Sequence, residues 1–323
     1  MQRGICMAAF FLRILIKLWS WIFALVMLFS PGAAPAEGII RPADPDALKL
    51  NFSVLADAHI ESFTMFRFQY LRSALKDIAG ASAPSDALVL LGDNTMNGQF
   101  TEYMMLYGIL SAHNRSKNTL AAMGNHDINP SAYEFDEALA RHNVFYNAYT
   151  GAQNEKPYYA REINGYTFLV LGSEDKAGTH EVISAAQLQW LDESLAGAAR
   201  GGRPVFVFNH QPFNDKTHFP DEHPNRPDGH YWYNLDGIGE ASDAVFGVLK
   251  KYDNVIYFSG HIHAPLKACE TEGVTLVNVY PFTAFTGGNG MYVEVYGDRV
   301  LLRGRQYAFG QWNEDYVYTV TLE

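Results

Sequence analysis

The chain has 323 residues, of which 48% are hydrophobic, and its 35 acidic and 24 basic side chains give a formal net charge of −11. This balance argues against duplex nucleic acid as a partner, because two negatively charged surfaces repel each other. It leaves small phosphorylated substrates open, since the field of a bound cation can outweigh the global charge.

The first 36 residues have the pattern of a secretory signal peptide. Three basic residues come first, an apolar run covers residues 18–29, and small residues at 34–36 offer a cleavage point. An uncleaved membrane anchor is the alternative, although the apolar run is shorter than the roughly 20 residues that span a bilayer. We therefore expect export to a periplasm, the cell surface or the medium, with membrane contact only through this segment if it is retained.

The mature chain, residues 37–323, is expected to form one domain, because no linker, repeat or charge block divides it. Its net charge would be −14, since the removed segment carries three basic and no acidic residues. Cys269 would be its only thiol, which excludes an internal disulfide. The composition does not indicate an oligomeric state.

Short apolar runs rich in β-branched and aromatic residues predict strands along the mature chain. Helical patterns lie between them. One apolar face runs from Phe68 to Ile78 and ends at Gly80, and Ser184 with Gln187 predicts a capping box at the start of a second helix. This alternation implies a largely parallel sheet. The predicted strands cover residues 50–55, 87–91, 119–123, 167–171, 205–208 and 255–258.

Antiparallel pairing is predicted in two further places. Residues 158–162 and 166–171, joined by Asn164-Gly165, have the pattern of a β-hairpin. Near the C-terminus, consecutive strands separated by turn residues are predicted over 274–280, 290–296 and 300–307.

One segment, residues 213–235, has neither a helical nor a strand period and contains three prolines, three histidines and the sequence Tyr-Trp-Tyr. A loop of this length is usually functional or disordered. Its aromatic residues could contact a substrate or pin the loop to the domain. Three histidines elsewhere lie in polar sequence and are expected at the surface: His113, His142 and His180.

Five polar motifs follow predicted strands: Asp-x-His, Gly-Asp, Gly-Asn-His-Asp, Asn-His and Gly-His-x-His. Ligands of α/β sheets bind at the carboxyl ends of strands, so these motifs could converge in one crevice. Carboxylate, amide and imidazole groups without a thiolate suit hard or borderline divalent cations. The polar side chains of these motifs include Asp57, His59, Asp93, Asn125, His210, His261 and His263.

In this order the motifs resemble the calcineurin-like metallophosphoesterases, over residues 57–263. Gly-Asn-His-Asp together with the final Gly-His-x-His resembles the class III cyclic-nucleotide phosphodiesterase branch. The resemblance implies an α/β fold, a four-layer αββα sandwich of two mixed sheets, with two metals at the C-terminal ends of strands. It also implies that Asp57, His59 and His263 hold one metal, that Asn125, His210 and His261 hold the other, and that Asp93 bridges both.

The resemblance further implies that His126 faces the substrate and that Asp127 orients it. His126 would stabilise the pentavalent phosphorus or protonate the leaving oxygen, while a metal-bridging hydroxide attacks phosphorus in line. Asp127 could instead cap the segment that follows. The sequence departs from the family at Met96, where another Asp or Asn is common. We expect this change to alter the surroundings of the metals without abolishing binding.

The leading prediction is a metal-dependent phosphoester hydrolase with a slight preference for phosphodiesters. A phosphomonoesterase on the same site, either a nucleotidase or a phosphatase, is one alternative, and a non-catalytic metal-binding module is another. The substrate would be small and phosphorylated, either a nucleotide or phospholipid-like. Oxygen and nitrogen ligands admit manganese, iron or zinc. Because the chain retains every ligand of the pattern, the enzyme is favoured.

Overall fold

The computed structural model describes residues 14, 15, 18, 38–62, 64–129, 131–176, 178–214, 216, 237–282 and 287–322. Most of the predicted signal segment and most of the loop 213–235 lie outside these residues, so the interpretations given to them stay predictions. Within the described residues, no helix combines the length and the apolar character that crossing a bilayer requires.

Twelve strands in the described part of the chain form two six-stranded mixed sheets. The first sheet has three parallel strands extended by three antiparallel ones, and the second has four parallel strands with an antiparallel strand at each edge. The strands β1 to β12 are Leu50–Leu55, Ala87–Leu91, Asn118–Ala122, Tyr159–Ile163, Tyr166–Val170, Val205–Phe208, Val255–Ser259, Lys267–Thr271, Val274–Asn278, Asn289–Val295, Arg299–Gln306 and Gln311–Thr321.

The strand order explains where the polar motifs meet. The first sheet runs β12-β11-β10-β1-β2-β3, and the second runs β4-β5-β6-β7-β9-β8. The motifs follow β1, β2 and β3 in the first sheet and β6 and β7 in the second. Parallel strands present their carboxyl ends at the same edge of a sheet, so each sheet contributes one set of loops to a shared edge.

Aromatic side chains join the two sheets face to face. Phe52 of β1 is fully buried and contacts Phe168, Phe206, Phe208 and Phe258 of the second sheet, with ring centroids 5.0 to 6.1 Å apart. All four pairs are edge-to-face, and such pairs contribute about 0.5–1.5 kcal/mol beyond the burial of their area. The main core therefore lies between the sheets.

The sequence of β6, Val-Phe-Val-Phe, divides its side chains between two layers. Phe206 and Phe208 belong to the core between the sheets, whereas Val205 and Val207 pack on the outer face with two helices. Alternate side chains of a strand point to opposite faces, so both faces of this strand are buried. Helices on both outer faces complete the four-layer αββα sandwich that the sequence predicted.

The α-helices with described bounds, α1 to α6, are Met65–Ala79, Phe100–His113, Asn125–Ile128, Phe135–Thr150, Ala185–Ala198 and Ser242–Leu249. Helices α1 to α4 lie on the side of the first sheet, and α5 and α6 pack on the second. Ser184 caps α5 by accepting a hydrogen bond from the Gln187 N–H at 3.2 Å. The Gln187 side chain, however, donates to Gly172 and Glu174, both at 2.9 Å, so the reciprocal half of the predicted capping box is wrong.

The surface position predicted for His142 is wrong. His142 is 3% exposed and lies in α4 with its ring close to Tyr103 and Tyr146. Residues three and four apart share one helix face, and Ala138 and Phe145 place His142 on the buried face. Burial lowers its pKa to about 4.

Candidate metal centre

Six of the seven predicted ligands meet at the edge shared by the two sheets. Two groups of three have their ligand atoms within 4.8 Å of one another. We call Asp57, His59 and His263 the open ligand group, and Asp93, His210 and His261 the buried ligand group. The seventh residue, Asn125, begins α3 in the loop whose His126 N–H donates to Asp93 Oδ1 at 2.8 Å.

The open ligand group combines loops of both sheets. His263 Nε2 lies 3.3 Å from Asp57 Oδ1 and 3.3 Å from His59 Nε2. The side chain of His263 is 53% exposed, whereas that of Asp57 is fully buried. This group therefore reaches solvent on one side only.

The buried ligand group is centred on Asp93. His210 Nε2 lies 3.2 Å from Asp93 Oδ2, and His59 Nε2 of the open group lies 3.8 Å from the same oxygen. The side chain of His210 has no exposed surface. Its Nδ1 atom lies 2.9 Å from the Leu91 carbonyl and must donate to it, which leaves Nε2 to face the carboxylates.

The hydrogen-bond ladder between β1 and β2 continues into both loops that carry these ligands. The Asp57 N–H donates to the Gly92 carbonyl at 3.1 Å, and the His59 N–H donates to the Asp93 carbonyl at 2.8 Å. Ile60 then donates to Asn94 at 3.0 Å. Backbone hydrogen bonds, as well as side chains, therefore fix the distance between the loop of the first motif and the loop of the second.

Five ligand residues have a left-handed backbone, which is uncommon for residues other than glycine. This conformation costs roughly 1–2 kcal/mol for each such residue. The hydrogen bonds and the packing of the loops must hold it in place. The φ angles are +55° at Asp57, +42° at His59, +46° at Asp93, +68° at His261 and +51° at His263.

Three of the motifs begin with glycine, and at Gly124 and Gly260 the ligands approach the backbone closely. A Cβ atom on Gly260 would lie 2.6 Å from Asp57 Oδ2, and one on Gly124 would overlap with the Asp93 carboxylate. Any larger residue would displace a predicted ligand. Glycine is needed at these two positions because there is no room for a Cβ atom, whereas the left-handed φ angles occur at the ligand residues themselves.

The charges of this cluster favour a cation. Burial alone would lower the pKa of His210, but Asp93 and Asp57 outweigh it and raise that pKa to about 10. Burial lowers the pKa of His59 to about 4, although Asp93 and Asp57 act to raise it, so the His59 ring is neutral at neutral pH. The carboxylates thus hold a proton on His210, at an atom where a metal ion would compete for the same position.

Asn125 tests whether the site fits a metal. Its Oδ1 atom is buried and has no hydrogen-bond partner. A buried unpaired acceptor is costly, and a cation would satisfy it. Together with the carboxylates and imidazoles of both groups, this oxygen completes a nitrogen and oxygen donor set that suits divalent metals.

The carboxylate of Asp127 accepts hydrogen bonds from Asn94, Thr95 and Gly124, so the orienting role expected of it toward His126 stays a prediction and would be indirect. Adjacent residues of a helix point about 100° apart. The His126 Nδ1 atom instead lies 2.7 Å from the Met96 carbonyl. Asp127 is fully buried and accepts five hydrogen bonds, from Asn94 N and Nδ2, Thr95 N and Oγ1, and Gly124 N, at 2.7 to 3.1 Å.

These contacts give Met96 a role that its side chain does not suggest. Asp127 fixes Asn94 and Thr95, and this loop presents the Met96 carbonyl to His126. The sequence carries no signal for this arrangement, because any residue offers a carbonyl and a backbone N–H. The missed residues at this site therefore act mainly through main-chain atoms.

Comparison with known proteins identifies the family. The model of the calcineurin-like phosphoesterases matches residues 50–265. The chain belongs to this family. Membership makes it a hydrolase of phosphoester bonds and implies a dimetal site, and both ligand groups lie at or inside the matched range.

Two solved structures show that the fold of this calcineurin-like phosphoesterase is shared. A dimetal phosphatase from zebrafish, Danio rerio, has a TM-score of 0.57 and 16% identity, over 85% of this chain and 100% of that chain. A purple acid phosphatase from yellow lupin seeds, Lupinus luteus, has a TM-score of 0.58 and 13% identity, over 84% of this chain and 53% of that chain. A search of curated proteins found no match.

Proposed function

We propose that this calcineurin-like phosphoesterase hydrolyses small phosphoesters outside the cytoplasm, with phosphodiesters slightly preferred over monoesters. The observation that carries the proposal is the convergence of six predicted ligands, from four loops of both sheets, within two groups of three. An acidic, mostly buried cluster of this kind is costly to fold and suits a pair of divalent cations.

The two ligand groups support the division of ligands that the sequence predicted. The open group would hold one cation, and His210, His261 and Asn125 would hold the second. Asp93 would bridge them, because its Oδ2 atom lies 3.2 Å from His210 and 3.8 Å from His59. When bound, such a pair of ions supplies activation of water and neutralises charge on the phosphoryl oxygens. Manganese, iron and zinc all remain candidates.

His126 is the residue best placed to act on the leaving group. One of its ring nitrogens lies within 4.8 Å of ligand atoms of His59 and Asp93. Its Nδ1 must carry a proton, because the Met96 carbonyl can only accept a hydrogen bond. Protonation of a leaving oxygen from Nε2 therefore requires the doubly protonated ring, whereas the neutral ring can only accept there.

We propose that Asp127 positions His126 indirectly. It holds Asn94 and Thr95, and through them the Met96 carbonyl that fixes the imidazole. Asp127 is therefore a positioning residue, and a carboxamide in its place would face N–H donors with an NH₂ group.

The preference for a diester rests on the resemblance of two motifs to the cyclic-nucleotide branch. A phosphomonoesterase is the second candidate, because the zebrafish and lupin proteins of similar fold are both phosphatases. In either case we expect a small substrate, a nucleotide or a phospholipid-like ester, to enter beside His263, where the open group reaches solvent.

The test compares bis-p-nitrophenyl phosphate with p-nitrophenyl phosphate, using metal-free purified protein supplied in turn with manganese, iron and zinc. We expect metal-dependent turnover of both esters, with the diester turned over faster. Faster turnover of the monoester would select the phosphatase. Binding of metal without cleavage of either ester under any condition would favour the non-catalytic module and contradict the proposal.

A further inference from the structure

The guanidinium of Arg67 reaches back from α1 to the first metal-binding motif. Its Nη1 atom donates to the carbonyl of His59 at 2.6 Å, and the side chain is 18% exposed. A second, longer contact at 3.7 Å joins it to Glu61. No motif of the sequence points to this arginine.

The position of Arg67 is unfavourable for the helix that carries it. Arg67 is the third residue of α1, whose first turn has no acidic residue and whose N-cap Thr64 makes no side-chain capping bond. A cation near the positive end of a helix is destabilising. The Arg67 Nε atom is also buried without a hydrogen-bond partner. A cation in the first turn of a helix and an unpaired buried donor are both unfavourable, and unfavourable features that occur together are typical of a residue with a functional role.

The contact that Arg67 gains is with a strained ligand residue. His59 has a left-handed backbone with φ of +42°. Its N–H is held by the Asp93 carbonyl at 2.8 Å, and its own carbonyl is held by Arg67. The peptide groups on both sides of the His59 Cα atom are therefore fixed by hydrogen bonds.

The ring of His59 needs this backbone clamp more than the ring of His210 does. A metal-binding histidine is usually oriented by a hydrogen bond to its other ring nitrogen, as the Leu91 carbonyl orients His210. The Nδ1 atom of His59 is buried and has no such partner. The direction of its Nε2 toward Asp57 and His263 therefore depends on the backbone and on ring contacts with His126 and His263.

We propose that Arg67 is a positioning residue of the metal centre, which fixes the His59 peptide and thereby aims the His59 imidazole at the open ligand group. The inference rests on the proposed function, because it assumes that this group binds a metal. Arg67 itself would not contact metal or substrate.

The test is metal binding, measured by calorimetric titration of manganese and of zinc into metal-free protein. Arg67→Met should weaken one of the two sites by about 10- to 100-fold and leave the other unchanged, as is usual when a supporting residue is lost. Arg67→Lys, which keeps a donor, should recover part of this loss. Lys76→Met, which removes an exposed charge from the same helix, should bind both metals as the wild type does.

A double-mutant cycle separates this role from general disruption of the loop. In a His59→Ala background, Arg67→Met should cause no further loss of affinity, since its effect passes through His59. A further loss, or wild-type affinity at both sites in the single variant, would overturn the role of Arg67 alone. Circular dichroism of the metal-free variants checks that each is folded. Wild-type protein that binds fewer than two metals would overturn the proposed function and this role together.

Discussion

The buried and the open ligand groups use similar residues in different surroundings. In the buried group, His210 is fully buried and its second ring nitrogen is bonded to Leu91. In the open group, His263 is half exposed and His59 has a ring nitrogen without a partner. A buried, fully supported ligand set favours tight retention of a metal, and an exposed one favours exchange and contact with substrate. We therefore expect the buried group to retain its metal and the open group to take part in the reaction.

Asp93 belongs to the buried group and also lies within 3.8 Å of His59 of the open group, so its loss should impair both groups. We expect Asp93→Ala to bind neither metal tightly and to lose at least about a thousandfold in kcat/KM, because a catalytic metal supplies several kcal/mol to the transition state. Metal content and diester turnover measure this. Asp298→Ala, which removes an exposed carboxylate, is the control. An Asp93 variant that keeps one metal at full affinity would show that the groups are independent.

His126 borders the open group, with its ring centroid 4.7 Å from that of His59, so its loss should affect chemistry and spare metal retention. For an alkyl phosphodiester, whose leaving group needs a proton, His126→Ala should lower kcat by about a hundredfold or more. For a p-nitrophenyl ester, whose leaving group needs none, the loss should be much smaller. Equal losses on both esters would contradict a general-acid role.

The matched pair His210→Ala and His263→Ala compares the groups directly in metal-free protein. Removing His210 leaves buried carboxylates without a counter-charge, and we expect a loss of about 3 kcal/mol in unfolding free energy. His263 is half exposed, so its removal should change that free energy by less than about 1 kcal/mol. Urea denaturation at neutral pH measures both. Equal effects would mean that burial does not distinguish the groups.

Glu181 lies close to the buried group, since it bonds to Asn209, the residue before His210. Glu181 is 5% exposed and accepts a hydrogen bond from Asn209 Nδ2 at 2.6 Å. Burial raises its pKa from an ordinary 4.5 to about 7, against opposing effects of Asn209 and of the charge on His210. The folded protein therefore binds this proton more tightly than the unfolded chain does.

The sign of the pH effect follows from this shift. Below pH 4.5, Glu181 is protonated in both the folded and the unfolded protein. As the pH rises to about 7, the unfolded chain releases this proton before the folded protein does, and the free energy of unfolding falls by about 3 kcal/mol. Glu181→Gln should therefore match the wild type near pH 4.5 and exceed it in unfolding free energy at pH 8. Glu193→Gln, at an exposed position of α5, should leave the pH dependence unchanged. A Glu181 variant with the wild-type slope would contradict the shift.

Much of the fold could be predicted from the sequence because its strands are short and apolar. The ends of β1, β2 and β6 match the predicted ranges at both termini. The edge strands β8 and β12 were not predicted, since their side chains are partly exposed and mostly lack a clear apolar alternation. Helices α2, α3, α4 and α6 were not predicted either. The weak apolar periodicity of α2 reflects burial on several sides.

The candidate site was predictable in its side chains and not in its backbone. The residue types of the five motifs indicate metal ligands wherever their loops meet. The left-handed angles, the Met96 carbonyl and the clamp on His59 depend on where loops from different strands cross. Such crossings are tertiary, so one sequence without the fold does not specify them.

The left-handed ligand residues also set how this protein would respond to engineering. Asn and Gly adopt that conformation at lower cost than His, so replacing His261 or His263 by either should relieve strain in metal-free protein. A thermostability screen run without metal would thus enrich variants in which these metal-binding histidines have been replaced. Selection for a robust protein and selection for a working enzyme would favour opposite residues at the same positions.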